Sequence, residues 1–145
     1  MISYHSGDLF RDEAEVLVNP VNTVGVMGKG LAAGFKTRYP GMFRAYREAC
    51  KAGSFHVGQV LVVSDNDRRI ACLPTKRHWR SPSRLEDVEA GLAALARHLT
   101  AEPAESVVVP ALGCGLGGLA WRPVETAICT ALGNLATDVR IYPPH

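Results

Sequence analysis

Two glycine-dense segments constrain the fold of this chain more than any other feature. They are Gly25–Gly30 and Gly113–Gly118, and each lies between an apolar, strand-like run and a helix-like run. Glycine allows positive φ angles and a close approach of the backbone to a ligand, and the N-terminus of a following helix presents unpaired N–H groups to an anion. Two such loops predict a binding site for a diphosphate.

Short apolar runs alternate with helical patterns along the chain. The apolar runs predict six strands, at residues 2–6, 15–19, 60–63, 70–73, 107–109 and 139–142. Helical spacing predicts helices at 31–39, 41–52, 85–99 and 123–135, and Ser83–Glu86 has the form of a capping box before the third. The polar turn Asp65–Asp67 predicts a hairpin. We therefore expect an α/β fold, a three-layer α/β/α sandwich around a mixed central sheet, with both glycine loops at the carboxyl ends of strands.

Length and composition set further limits. A chain of 145 residues is most simply one domain, spanning residues 1–145. The four cysteines lie far apart without a C-x-x-C pair, which predicts reduced thiols, a cytoplasmic location and no metal site. No apolar run approaches the ~20 residues of a membrane span, so we expect a soluble protein with no membrane partner. The net charge of +2 is too small to indicate nucleic acid binding by itself.

Two nucleotide-binding motifs are matched only in part. The second glycine loop fits G-x-G-x-x-G, but Asp138 precedes the next predicted strand instead of ending it. This placement argues against a nicotinamide-dependent oxidoreductase. In the first loop, Lys29 is followed by Gly30 and not by the Ser or Thr that binds magnesium in a Walker A loop. Nucleotide hydrolysis by that route is therefore disfavoured.

Three polar side chains near the predicted strand ends allow two interpretations each. The amides of Asn19 and Asn22 can bond to ribose hydroxyl groups, or they can cap local turns. The carboxylate of Asp8 can accept a hydrogen bond from a base amino group, or it can cap the segment that follows the first strand. Spacing alone favours the capping role for Asp8.

The stretch Pro74–Arg80 combines three cations, a histidine and an indole directly after an apolar strand. An exposed loop of this kind can pair with phosphates and stack on bases, as in proteins that bind single strands. The alternative is a solvated connector with Trp79 packed into the core. Lys76, close to a strand end and beside other cations, is a candidate nucleophile, although most such lysines are surface charges.

Four ordered segments resemble the macrodomain family and together span essentially the whole chain. They are Gly7–Phe10, Asn19–Gly30, Pro74–Trp79 and Pro110–Trp121. Within that family the chain is most similar to the DarG group, whose members remove ADP-ribose from DNA. The resemblance implies the macrodomain fold, with ADP-ribose across the sheet edge and its diphosphate between the two glycine loops.

The resemblance also implies roles for individual residues. Lys76 matches the lysine regarded as catalytic in the DarG group and in the human terminal ADP-ribose glycohydrolase, and His78 is a candidate proton carrier. Arg77, Trp79 and Arg80 are expected to bind DNA, and no cofactor is implied. The residues expected to contact the ligand ADP-ribose are Asp8, Leu9, Asn19, Asn22, Thr23, Val24, Gly25, Val26, Met27, Gly28, Lys29, Gly30, Pro110, Leu112, Gly113, Cys114, Gly115, Leu116, Gly117, Gly118, Leu119 and Tyr142.

The implied activity is release of ADP-ribose from thymidine bases of single-stranded DNA, as the antitoxin of a DarT-type ADP-ribosyltransferase toxin. The chain departs from the human enzyme at Gly117, where that enzyme carries an aspartate that assists its lysine; DarG-like sequences lack this carboxylate as well. Two other functions stay open. One is a reader module that binds ADP-ribose without hydrolysing it, and the other is hydrolysis of ADP-ribose esters, including those on protein glutamate or aspartate.

Overall fold

Six strands form one mixed sheet in the computed structural model, which describes all 145 residues. The strand order is β1-β6-β5-β2-β4-β3, and every pair is parallel except β3 with β4. This mixture follows from the chain, since only the β3–β4 connection is short enough to be a hairpin. The strands are β1 Ile2–Tyr4, β2 Val16–Asn22, β3 Leu61–Asp65, β4 Arg68–Lys76, β5 Ser106–Pro110 and β6 Asp138–Tyr142.

Helices cover both faces of the sheet, as a sheet whose central strands are almost wholly apolar requires. The helices are α1 Gly30–Arg38, α2 Pro40–Lys51, α3 Leu85–Ala101 and α4 Trp121–Leu132. α3 and α4 bury mainly aliphatic residues such as Leu92 and Ile128 on one face, whereas α1 and α2 bury Phe35 and Tyr46 on the other. The three-layer sandwich with a mixed sheet is therefore confirmed. None of these helices combines the length and the apolar character that crossing a membrane would require.

Two strands continue through prolines at which the apolar pattern predicts their end. β2 continues through Pro20 to Asn22, and β4 continues through Pro74 to Lys76. The pattern predicts an end before each proline because proline lacks the N–H that a sheet ladder uses. The predicted hairpin is confirmed, and the backbone at its turn residues Asn66 and Asp67 lies in the left-handed region, at φ 52° and 62°.

The predicted capping box at the start of α3 is wrong. Arg84, and not Ser83, is the N-cap residue, and no side chain caps the helix. Ser83 instead donates its backbone N–H to the carbonyl oxygen of Gly117 at 3.0 Å. This tertiary contact ties the start of α3 to the second glycine loop.

A β-bulge lies where β2 and β4 reach the carboxyl edge of the sheet. Val21 pairs with Pro74 but the next residue, Asn22, pairs with Lys76, which leaves Thr75 as an additional residue on β4. Bulges re-aim side chains at the ends of strands. Both glycine loops and the end of β4 therefore meet at one edge of the sheet, where a ligand site is expected.

Candidate functional site

A single large cavity of about 1140 Å³ opens at the carboxyl ends of the parallel strands. Its wall includes Gly28–Gly30 of the first glycine loop and Gly113–Gly117 of the second. The end of β4 contributes Lys76, and Tyr142 closes the opposite side. Ligand pockets commonly measure about 300–1,000 Å³, so this cavity has room for a ligand with two ring systems joined by a diphosphate.

Asn22 organises the first glycine loop from inside. Its Oδ1 accepts hydrogen bonds from the backbone N–H groups of Val24 at 3.1 Å and Val26 at 3.4 Å, and its Nδ2 donates to the carbonyl oxygen of Val26 at 2.8 Å. The buried hydroxyl of Tyr46 donates to the same Oδ1 at 2.7 Å, and burial raises the pKa of this phenol so that it stays protonated. Of the two interpretations of Asn22, the capping role is the one its hydrogen bonds show.

Asn19 and Met27 correct the expected ligand contacts. Both side chains are buried and lie outside the cavity wall. The Nδ2 of Asn19 faces the sulfur atoms of Met27 and Met42, each at 3.8 Å, so the three side chains support the first loop from below. Leu112 is likewise wholly buried, in the core under α3 and α4. The remaining expected residues that lie outside the wall are Asp8, Thr23, Val24, Gly25, Gly118 and Leu119.

The opposite end of the cavity is walled by aromatic rings. Tyr142 stacks on His5, with ring centroids 5.7 Å apart and planes at 22°, and Leu9 lies beside them in the wall. Asp8 caps the short 3-10 turn that follows β1, since its Oδ1 accepts the N–H of Phe10 at 3.0 Å. Sequence reasoning does not find His5, because a single histidine at a strand end carries no pattern.

Asp12 fixes the position of this aromatic wall. The Tyr142 hydroxyl donates to Asp12 at 2.9 Å, and the Arg140 guanidinium donates to the same carboxylate at 2.6 Å. Burial opposes ionisation of Asp12, but the hydrogen bonds from Tyr142 and Arg140 outweigh it and hold its pKa below the usual value. Burial and the hydrogen bond to Asp12 raise the pKa of Tyr142 to about 12, so its hydroxyl remains a donor.

The second glycine loop is closed tightly against Ser83. A Cβ atom at Gly117 would collide with the Ser83 Oγ and would lie 2.5 Å from the carbonyl oxygen of Gly113. A side chain at this position, such as that of an aspartate, therefore has no room on this backbone. The Ser83 Oγ is buried, has no hydrogen-bond partner and belongs to a residue of the cavity wall. The sequence does not reveal that Ser83 belongs to the site, because the local pattern around it indicates a helix cap.

Lys76 stands in the cavity wall at the end of β4, and its Nζ donates to the carbonyl oxygen of Trp79 at 3.3 Å. Trp79 is 43% exposed and lines the cavity, so the alternative of a core-packed indole is wrong. The Arg80 guanidinium lies 4.4 Å from the indole centroid, and the His78 ring stacks on the indole at a centroid distance of 5.3 Å. A lysine, an exposed indole and a cation are thus brought together at the cavity mouth.

Arg77 and His78 both lie outside the cavity wall. The Arg77 guanidinium forms a two-pronged ion pair with the buried carboxylate of Asp87, each contact being 3.2 Å, and this hydrogen-bonded pairing raises its pKa further. It therefore anchors the loop to α3, while its side chain is still 54% exposed and its contact with DNA stays a prediction. His78 lies outside the cavity wall, where its Nδ1 accepts the N–H of Arg80. A proton-carrier role inside the cavity is not supported for His78.

The acidic, histidine and cysteine side chains form no group of three or more that could hold a metal ion. All four cysteines carry free thiols. Cys114 is the one in the cavity wall, and burial raises its pKa. The thiol is therefore protonated near neutral pH, and a protonated thiol is a poor nucleophile. The wall also holds two amines, Lys29 and Lys76, and the catalytic role of Lys76 stays a prediction.

Comparison with known proteins agrees with this geometry. A Mycobacterium tuberculosis protein named DNA ADP-ribosyl glycohydrolase is 50% identical over 99% of this chain and 42% of its own length. The solved macrodomain of Mycobacterium tuberculosis DarG superimposes with a TM-score of 0.97 at 49% identity, covering 100% of this chain and 99% of the other. Thermosipho africanus DarTG in complex with ADP-ribose gives a TM-score of 0.92 at 37% identity, covering 99% of this chain and 41% of the other.

The chain spans 42% of the length of the mycobacterial DNA ADP-ribosyl glycohydrolases that it matches. The family model described as Macro domain matches residues 18–128, which include both glycine loops and the end of β4. The matched segment holds four of the six strands and is well over half of the sequence. The chain therefore belongs to the macrodomain family.

Proposed function

We propose that this chain is a DNA ADP-ribosyl glycohydrolase, which releases ADP-ribose from thymidine bases of single-stranded DNA in the cytoplasm. The observation that carries the proposal is the position of Lys76 in the cavity wall beside the exposed indole of Trp79. The Thermosipho africanus relative is described as a complex with ADP-ribose. The relatives of 42–50% identity are named for the hydrolase activity.

The cavity wall suggests how the ligand lies. The adenine is placed against Tyr142, and the diphosphate lies between Gly28–Gly30 and Gly113–Gly117. The start of α1 and the second loop line this part of the cavity, where backbone N–H groups can bind an anion, and Lys29 adds a positive charge. This placement leaves the distal ribose at the Lys76 end. The DNA base attached to it then emerges beside Trp79 and Arg80, which stack on bases and attract phosphate.

Hydrolysis adds the oxygen of water to C1″ of the distal ribose and returns a proton to the base nitrogen. Thymine is a poor leaving group unless a positive charge stabilises its anion or a proton is donated to its nitrogen. Lys76 acts in one of two ways. As an ammonium group it donates a proton to the leaving nitrogen. As an amine it displaces the base from C1″, the base takes up the proton that the amine loses, and the ribose ring opens to an imine that water hydrolyses to release ADP-ribose. Reduction with cyanoborohydride during turnover distinguishes them, because only the imine becomes covalently trapped.

The proposal is tested with two substrates, an ADP-ribosylated thymidine oligonucleotide and an ADP-ribosylated glutamate peptide. We expect release from the oligonucleotide alone. The Lys76→Ala variant should lose turnover and keep ADP-ribose affinity by calorimetry. The matched control is Lys29→Ala, another lysine of the same wall, which should weaken ADP-ribose affinity and raise KM without abolishing kcat. Release from the peptide alone would establish an esterase instead, and binding without any release would establish a reader module.

An antitoxin role is proposed with the hydrolase activity. A Thermosipho africanus relative, 35% identical over 99% of this chain, is named as a fusion of a DNA ADP-ribosyl transferase with a DNA ADP-ribosyl glycohydrolase. If the reactions oppose each other here as well, co-expression of this chain should restore growth of cells that carry a DarT-type transferase. The Lys76→Ala variant should fail to restore growth at equal expression.

A further inference from the structure

Twelve of the sixteen cations of this chain lie in two segments, six in residues 68–84 and six on α1, α2 and the residue before them. Residues 29–51 contain six cations against one acid, Glu48, which is a formal +5 in a chain of net charge +2 and leaves −3 for the rest. All six side chains are exposed, and none forms an ion pair with a carboxylate. This asymmetry is hidden in the total charge. The six are Lys29, Lys36, Arg38, Arg44, Arg47 and Lys51.

Two of these cations lie over one aromatic ring, and two more lie on α2, the helix that carries that ring. The Lys36 Nζ lies 4.5 Å from the centroid of the Phe43 ring, and the Arg47 guanidinium carbon lies 5.4 Å from it. Lys51 follows Arg47 at helical spacing, and Arg44 is adjacent to Phe43 in sequence. Like charges four residues apart on a helix destabilise it, and no carboxylate of the chain pairs with them. We call these four cations with Phe43 the basic ridge.

The basic ridge is continuous with the mouth of the cavity. The Arg47 side chain packs beside Gly25, with its Cγ 3.7 Å from a Cβ placed there. On the other side of the same loop, the Thr23 hydroxyl donates to the carbonyl oxygen of Arg77 at 2.8 Å, two residues before Trp79. The exposed side chain of Val24 lies between the two contacts in sequence. One short loop therefore separates the mouth from the ridge.

We propose that the basic ridge binds the sugar-phosphate backbone of the DNA strand whose modified base occupies the cavity mouth. This inference rests on the proposed function, which brings a polyanion to that mouth. A row of unpaired cations beside an aromatic ring provides charge for phosphates and a surface on which bases stack, as in grooves for single strands. An acidic protein surface is disfavoured as the partner of the basic ridge, because the ridge begins where the DNA strand of the proposed function leaves the cavity.

The test compares two pairs of arginine-to-glutamine changes that remove equal charge. The ridge variant is Arg44→Gln/Arg47→Gln, and the control is Arg97→Gln/Arg122→Gln, whose arginines are also exposed and unpaired. Each variant is titrated with an unmodified 20-mer oligothymidylate by fluorescence anisotropy between 50 and 300 mM salt. For each phosphate group that the ridge variant no longer neutralises, the salt slope should fall by ~0.7 and the affinity at low salt by roughly fivefold to tenfold.

Turnover separates this inference from the proposed function. On an ADP-ribosylated oligonucleotide the ridge variant should raise KM and leave kcat unchanged, and on ADP-ribosylated thymidine mononucleotide it should behave as the wild type does. Equal losses of affinity in the ridge and control variants, or an unchanged salt slope in the ridge variant, would overturn the proposal. If the wild type hydrolyses neither substrate, the proposed function fails, while the oligothymidylate titration still decides whether the ridge binds DNA.

Discussion

Replacing Gly117 with alanine tests the contact that closes the second glycine loop over Ser83. The added Cβ atom would collide with the Ser83 Oγ, and it would lie 2.5 Å from the Gly113 carbonyl oxygen and 2.8 Å from the Ser83 Cβ. None of these atoms belongs to a long, flexible side chain, and one is backbone. The loop must therefore move away from α3 to accommodate the new methyl group.

The cost has two parts. Overpacking of a closed site costs about 1–3 kcal/mol. The hydrogen bond from the Ser83 N–H to the Gly117 carbonyl oxygen, 3.0 Å long, breaks when the loop moves, which adds about 1 kcal/mol. We expect Gly117→Ala to lower the free energy of unfolding by roughly 2–4 kcal/mol. Because the loop forms part of the cavity wall, affinity for ADP-ribose should fall as well.

The assay is urea denaturation followed by circular dichroism, with ADP-ribose calorimetry on the same samples. Gly115→Ala is the matched control, because a Cβ there meets nothing within 4 Å and the backbone does not need a positive φ. It should be neutral or stabilise by up to about 1 kcal/mol. Ser83→Gly combined with Gly117→Ala removes two of the three close approaches and should recover part of the stability. If the free energy of unfolding of Gly117→Ala equals that of Gly115→Ala, crowding at Gly117 does not destabilise the fold and the reasoning is wrong.

Three further outcomes are expected. The pKa of Asp12 is lower in the folded protein than its unfolded value of about 3.9, so the ionised carboxylate stabilises the fold above that value, and this stability is lost as the pH falls through the folded pKa. In urea denaturation between pH 7 and pH 2.5, Asp12→Asn should therefore lose less free energy of unfolding than the wild type does. Tyr46→Phe removes the hydroxyl that bonds to the buried carbonyl oxygen of Asn22, while the Asn22 Oδ1 keeps its bonds from Val24 and Val26, so it should cost about 1–3 kcal/mol in urea denaturation and weaken ADP-ribose binding by calorimetry. Hydrolysis should be unchanged in EDTA, because no group of metal-binding side chains is present; loss of activity that zinc or magnesium restores would show otherwise.

Features that depend on neighbouring residues could be read from the sequence. The helices, the hairpin at Asn66 and the positions of the two glycine loops follow from local periodicity and turn chemistry, and the structure confirms them. Placement of both loops at one edge then follows from the parallel order of β2 and β5. Local pattern and global fold agree here because strand ends fix where the loops emerge.

Features that depend on contacts between distant residues could not be read. Ser83 fits a helix cap by pattern, but its partner Gly117 is far away in the sequence and reaches it only in the folded chain. Arg77 belongs to a basic run, yet Asp87 of the next helix binds its guanidinium. Neither partner carries a signal of its own, so motif alone predicts the wrong role for Ser83, and charge alone misses the ion pair of Arg77.

The exposed position of Trp79 gives the molecule an optical reporter at its cavity mouth. The chain has only two tryptophans, and the second, Trp121, is partly buried against the core under α3 and α4. Indole emission shifts and quenches when a base stacks on it. A change in intrinsic fluorescence on adding substrate would therefore come chiefly from Trp79, and stopped-flow mixing could time base arrival separately from release of ADP-ribose without any attached dye.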